Sequence, residues 1–116
     1  MVLKMENVIR TQTYGMDGNL FEERYRIPPK FCFHREDGPA FISYYPGNIL
    51  NDALYYNNGK RHRIDGPACT KYFMSGNIIE EQYWVNDQRI DSWLDEMGIE
   101  LPPSIEDQLL IKLAWG

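Results

Sequence analysis

The side chains of this chain whose types suit acid–base or metal chemistry are His34, Asp37, His62 and Asp65, and they come as two matching sets. Residues 34–40 read HREDGPA and residues 62–68 read HRIDGPA, one change in seven positions, 28 residues apart. A histidine beside a carboxylate can move a proton or hold a metal ion. The duplication argues against both uses, because equivalent positions of successive repeats form ladders along a scaffold and do not converge on one point. Cys32 precedes His34 by two residues, but the matching position 60 is a lysine, so a Cys/His metal pair has no second copy. No phosphate-binding glycine loop, GxSxG elbow or HExxH helix is present. The expectation is a protein that is not an enzyme and uses no cofactor and no metal. In it His34, Arg35, Asp37, Gly38 and Pro39, with His62, Arg63, Asp65, Gly66 and Pro67, hold the repeat together: histidine packed or hydrogen-bonded, arginine salt-bridged, aspartate capping its own Gly-Pro turn.

The elements that must position these residues read as β-hairpins. Gly-Asn pairs at 18, 47 and 76 mark turns, each preceded by an aromatic (Tyr14, Tyr44, Tyr72), and Asn57-Asn58-Gly59 marks another; the segments between are rich in Tyr, Phe, Ile and Trp. Pro39 and Pro67 cannot donate to a ladder, so Ala40 and Ala68 are expected as the first paired residues, and Gly38 and Gly66 are expected at positive φ. Counted from each Gly-Asn glycine, Phe21/Leu50/Ile79, Tyr25/Leu54/Tyr83 and Ile27/Tyr56/Val85 share one parity and predict the buried face. Glu23, Asp52 and Glu81 fall on that parity too; they are expected to meet Arg35, Arg63 or the tight-loop amides, or to turn to solvent on a bulge.

The repeat ends near Ile90. Residues 1–90 form two and a half units of about 28–29 residues, and 91–116 form a helical cap on the same compact domain. A first helix is predicted over 91–97 with Gly98 as its stop. A second follows the Pro102-Pro103 break, capped by Ser104, with an apolar face of Ile105, Leu109, Leu110 and Leu113. The predicted fold class is mainly β: a single twisted antiparallel sheet of tandem hairpins, about six strands, with a C-terminal pair of short α-helices as its cap.

Charge narrows the partners. With a net charge of −5 and no basic run beyond Lys60-Arg61-His62-Arg63, neither nucleic acid nor an anionic membrane surface is an expected partner. Neither a signal peptide nor a membrane-spanning run is evident, and Cys32 and Cys69 lack CxxC spacing, so a soluble cytoplasmic protein with reduced thiols is expected.

The aromatic hairpins, Tyr44-Tyr45-Pro46-Gly47-Asn48 and Tyr55-Tyr56-Asn57-Asn58-Gly59-Lys60, resemble MORN-type repeats, and the HRxDGPA blocks resemble the variant found in small proteins of bacteriophages and large DNA viruses. The resemblance spans roughly residues 14–90 and implies a binding or scaffold module. The unit here is longer than the usual MORN repeat, and the basic lipid-binding surface of some eukaryotic members has no counterpart. Tyr and Trp form cross-strand ladders in sheets, but exposed with arginine they also make protein-binding hot spots. Tyr55, Trp84, Arg26, Arg61 and Arg89 are the candidate contact residues, and the acidic stretch 91–107 is a second candidate surface. The leading expectation is a phage-encoded accessory protein in the host cytoplasm that binds or inhibits a host protein, for example a defence factor. The alternative is a protein that sequesters a small ligand such as a nucleotide between tyrosines and arginines.

Overall fold

A computed structural model of the chain describes residues 7–116; residues 1–6 of the expected repeat region lie outside them. The strands are β1 (Ile9–Tyr14), β2 (Leu20–Ile27), β3 (Cys32–Phe33), β4 (Phe41–Tyr45), β5 (Ile49–Leu54), β6 (Tyr56–Asn57), β7 (Lys60–Arg61), β8 (Cys69–Tyr72), β9 (Ile78–Gln82), β10 (Trp84–Val85) and β11 (Gln88–Arg89). The helices α1 (Asp91–Glu96) and α2 (Ile105–Trp115) follow. The fold is mainly β and antiparallel, an open array of hairpins with two C-terminal helices, as the sequence predicts. It is finer than a plain hairpin series. Seven strands form the main sheet in the order β1-β2-β4-β5-β8-β9, with β3 added to β2, while β6–β7 and β10–β11 are separate two-stranded ribbons.

Register across the sheet explains which residues are equivalent. Tyr14 faces Leu20, Tyr44 faces Leu50 and Tyr72 faces Ile78, each across an irregularity in the ladder. The tyrosines, six residues before their partners every time, are thus the true register marks. The Gly-Asn glycine sits one place nearer its tyrosine in the middle unit, so counting from it slips that unit by one residue. The equivalent residues are Tyr25, Tyr55 and Tyr83, and the Leu54 expected among them instead faces Phe41 and Cys69 in a different row. A one-residue slip moves every side chain to the other face of a strand.

Ala40 and Ala68 are fully buried and start the ladders as expected. The Tyr25 amide donates to the Ala40 carbonyl at 2.8 Å, and Ala40 donates to Leu54 at 2.8 Å; Tyr55 and Gln82 flank Ala68 in the same way, at 2.7 and 2.9 Å. Both methyl groups are enclosed between the strands. At the third equivalent position no alanine strand follows. The Tyr83 amide donates instead to the carboxylate of Asp91, at 3.2 and 3.3 Å, so an aspartate side chain stands where the next repeat's carbonyl would be.

The main core lies under the cap: Tyr83, Val85, Ile90, Leu94 and Ile111, with Ile64, Trp93, Ile99 and Trp115 packed around them. Trp93 and Trp115 meet edge to face, 5.8 Å between centroids. Ile90 holds the place that His34 and His62 hold in the earlier units, so the chain changes from repeat to cap by replacing a polar linker with an apolar core residue. Ser104 caps α2 as expected, its hydroxyl accepting the Asp107 amide at 3.2 Å, and Gly98 ends α1 at φ 67°. The expected apolar face of α2 is wrong. Ile105, Leu109, Leu110 and Leu113 are exposed, and Ile111 with Trp115 faces the core. Apolar residues surround this helix, so periodicity could not choose a side; the Trp93–Trp115 contact does.

That choice is measurable. Ile111 is 1% exposed and Leu113 86%, so Ile111→Ala is expected to cost about 2–5 kcal/mol in urea unfolding, and Leu113→Ala to change stability by roughly 0.5 kcal/mol at most.

Candidate functional site

Each HRxDGPA block builds one joint between units. His34 is buried, and its Nδ1 accepts the backbone N–H of Asn58 at 3.0 Å; His62 Nδ1 accepts that of Asn86 at 3.1 Å. Both asparagines are held at φ 49°, a left-handed turn conformation that only a few side chains adopt readily. The histidine of one unit therefore pins the tight turn of the next ribbon. Backbone bonds add to the joint: Arg35 donates to Tyr56 and Gly59 to Phe33, while Arg63 donates to Trp84 and Asp87 to Arg61.

The arginine closes the block on itself. Arg35 Nε donates to Asp37 at 3.0 Å and its terminal nitrogen to the Pro39 carbonyl at 3.2 Å, and Arg63 makes the same bonds to Asp65 at 2.9 Å and Pro67 at 3.2 Å. Each guanidinium lies over a tyrosine ring, Arg35 at 4.0 Å from Tyr25 and Arg63 at 4.1 Å from Tyr55. Asp37 and Asp65 thus bond within their own loops, as expected, but to arginine. The expected meeting of Arg35 and Arg63 with Glu23, Asp52 and Glu81 does not occur, because the guanidinium is already used locally. Gly38 and Gly66 do not take the expected positive φ. A Cβ there would stand 3.0 Å from the Arg35 guanidinium carbon and 2.7 Å from that of Arg63, so these glycines make room for a flat cation stacked on tyrosine.

The acidic set splits by position. Glu23, 8% exposed, is held on β2 by the Tyr44 hydroxyl at 2.8 Å, Gln12 at 3.2 Å and Tyr25 at 3.5 Å, with Arg10 4.0 Å away. Burial, then the bond to Glu23, pushes the Tyr44 phenol up to about 12. Asp52 accepts from Ser43 at 2.9 Å and Lys71 at 3.4 Å. Glu81 is exposed on β9.

Between the two loops lies a cleft of about 480 Å³ lined by Arg35, Asp37, Tyr55, His62, Arg63 and Asp65 among others. Its cations are engaged by their own aspartates, and Glu36 joins those carboxylates on its wall. Among the described residues no three His, Cys, Asp or Glu side chains converge as a metal site would require.

The opposite face carries a different constellation. Cross-strand partners share a face, so the pairs Arg26–Phe33, Tyr56–Arg61 and Trp84–Arg89 form one row along the β2–β3 hairpin and the two ribbons. Phe33 and Tyr56 rings stand 5.1 Å apart, and the Arg61 guanidinium lies 3.7 Å from the Trp84 ring centre. Arg61 Nε donates to Asp87 at 3.2 Å, Arg89 to Asp91 at 2.7 Å, and the Trp84 indole N–H to Gln82 at 3.0 Å. The Asp87 carboxyl is held below its ordinary value, first by the Arg61 amide and then by its side chain. A shallow groove of about 240 Å³ runs beside the row, lined by Leu54, Tyr56, Arg61, Cys69 and Gln82 on one side and Asp52, Lys71 and Glu80 on the other. Burial pushes the Cys69 thiol and the Tyr56 phenol up, so neither is an activated nucleophile.

Of the five candidate contact residues, the structure brings Arg26, Arg61, Trp84 and Arg89 together. Tyr55 lies on the other face under Arg63, and its neighbour Tyr56 takes its place in the row. The corrected tyrosine register would have found Tyr56, since it aligns with Arg26 and Trp84. Comparison with family models, curated proteins and solved structures finds no match for this chain.

Two measurements probe the joints. Arg63→Ala removes a ring stack and a bond to Pro67 and should cost about 2–3 kcal/mol, while Asp65→Ala removes one half of a pair whose carboxylate side chain is 65% exposed and should cost about 1 kcal/mol or less. Equal losses would show the aspartate to be the anchor. Burial also holds His62 below its ordinary value near 6.5. The unfolded chain therefore takes up that proton first: stability is full above about pH 6.5 and falls as the pH drops below it, towards the folded value. The slope in unfolding midpoint between pH 7.5 and 5.5 should shrink in His62→Gln; an unchanged slope would place the titration elsewhere.

Proposed function

We propose that this chain is a non-catalytic protein-binding module whose contact surface is the row Arg26–Phe33–Tyr56–Arg61–Trp84–Arg89. The supporting observation is the Arg61–Trp84 stack. Arginine and tryptophan are the residue types that dominate binding hot spots, and here two of the three arginines are already oriented by carboxylates, so little freedom is lost when a partner docks. A rigid cationic and aromatic strip suits a partner surface with acidic and planar groups. The resemblance to MORN-type repeats of the HRxDGPA kind points the same way. It suggests a phage-encoded accessory protein acting in the host cytoplasm, where it binds or inhibits a host protein. Among the described residues no helix is long and apolar enough to cross a membrane.

The cleft between the two loops supports a second reading, a protein that sequesters a small ligand such as a nucleotide. Tyrosine and arginine line it, but three carboxylates share its wall and oppose a phosphate.

Immobilised protein exposed to bacterial lysate, beside a thermal-shift series with nucleotides, separates the readings. The binding module retains a protein in stoichiometric amount and gains no stability from nucleotides; the sequestering protein gains several degrees. Trp84→Ala and Arg61→Ala are expected each to weaken capture by roughly 30-fold or more. Both should leave the circular dichroism spectrum unchanged, and capture unaffected by both variants would remove the row from the interface.

A further inference from the structure

The sheet contains its own template for what the free edge of β9 can accept. In β2, Tyr25 donates its amide to β4, and alternation makes Glu23 the next residue whose N–H and C=O face β4. Ile42 lies opposite Glu23, and Tyr44, two residues further on, reaches back to donate its hydroxyl to the Glu23 carboxylate at 2.8 Å. β9 is the equivalent strand of the last unit. Tyr83 matches Tyr25 and Glu81 matches Glu23, while Ile79 is the extra residue of the irregularity between Glu80 and Ile78, as Phe21 is in β2. The Tyr83 amide is occupied by Asp91. Beyond Glu81 no strand follows among the described residues, where β9 pairs with β8 alone. All of residues 78–81 are exposed, and neither the Glu80 nor the Glu81 carboxylate has a hydrogen-bond or ion-pair partner among the described residues.

We propose that the β9 edge docks an extended segment of a partner protein, added antiparallel, with a tyrosine two residues beyond the position opposite Glu81. The segment continues the sheet as β4 continues it from β2, and its phenol hydroxyl supplies the donor that Glu81 lacks. Main-chain bonds to Glu81 give affinity, and the Glu81 carboxylate gives selectivity for the donor. Asp91 sets where the added strand must stop, because its side chain fills the place of the Ala40 carbonyl. A second copy of this chain fits poorly: antiparallel β9–β9 pairing centred on Glu81 sets Glu81 against Glu81, and like charges directly opposite destabilise a strand pair. The Glu81 edge groups are distinct from the arginine–aromatic row, which touches β9 where the Trp84 indole donates to Gln82.

The probe is a synthetic peptide of Phe41–Tyr45 with two lysines at each end, added to the full chain. The expected result is saturable slowing of amide exchange at Glu81, with affinity roughly tenfold weaker for the peptide with phenylalanine at the Tyr44 position and for protein carrying Glu81→Gln. Trp84→Ala should leave it unchanged, so failure of the row and failure of the edge are told apart. No binding, equal binding of the phenylalanine peptide, protection centred on other residues, or self-association that protects the same amide would each overturn the proposal.

Discussion

The structure depends on a bond that crosses from one unit to the next: a histidine Nδ1 accepting the amide of an asparagine held at positive φ. Asparagine is one of the few side chains that tolerate this turn conformation. A buried acceptor aimed at its N–H fixes the position of the ribbon and with it the register of the next unit. The arginine beside the histidine, stacked on a tyrosine and bonded to its own loop, keeps the loop folded while the histidine reaches out. In a thin repeat array each unit contacts only its neighbours, so a joint of this kind governs the whole length.

The same logic explains how the array ends. Ile90 replaces the histidine and Asp91 the arginine, in adjacent residues. The isoleucine enters an apolar core with Leu94 and Ile111 and so recruits the helices. The aspartate satisfies the Tyr83 amide that would otherwise be left without its alanine partner. Two substitutions thus turn a repeating surface into a terminus, and at that end of the sheet the outer part of β9 stays open among the described residues.

Function follows from the two faces being unlike. One face is consumed by the joints: its arginines, aspartates and histidines have partners within the array, so its cleft offers few free groups. The other face also joins successive units, Phe33 against Tyr56 and Arg61 against Trp84 and Asp87, and it does so with an arginine–aromatic row. Arg61 stacks on Trp84, and Arg61 and Arg89 are each held by a carboxylate, which is the arrangement the proposed contact surface rests on.

Much of this was legible in the sequence. Two nearly identical blocks 28 residues apart, turn glycines and aromatic runs determined a tandem antiparallel hairpin array, because local turn chemistry and repetition leave few alternatives. Ala40 and Ala68 as ladder starts, Ser104 as a cap and the structural use of HRxDGPA followed from single-residue chemistry. Tertiary structure alone decided the rest. The mid-unit glycine shift decided whether Tyr55 or Tyr56 joined the row, since parity amplifies one residue into a change of face. The close approach of the tyrosine-stacked guanidinium, and not a positive φ, distinguishes the Gly38 and Gly66 positions. In α2, apolar on every side, only the tryptophan partner across the core could select Ile111 over Leu109 and Leu113, because a helix without a polar face carries no preference of its own.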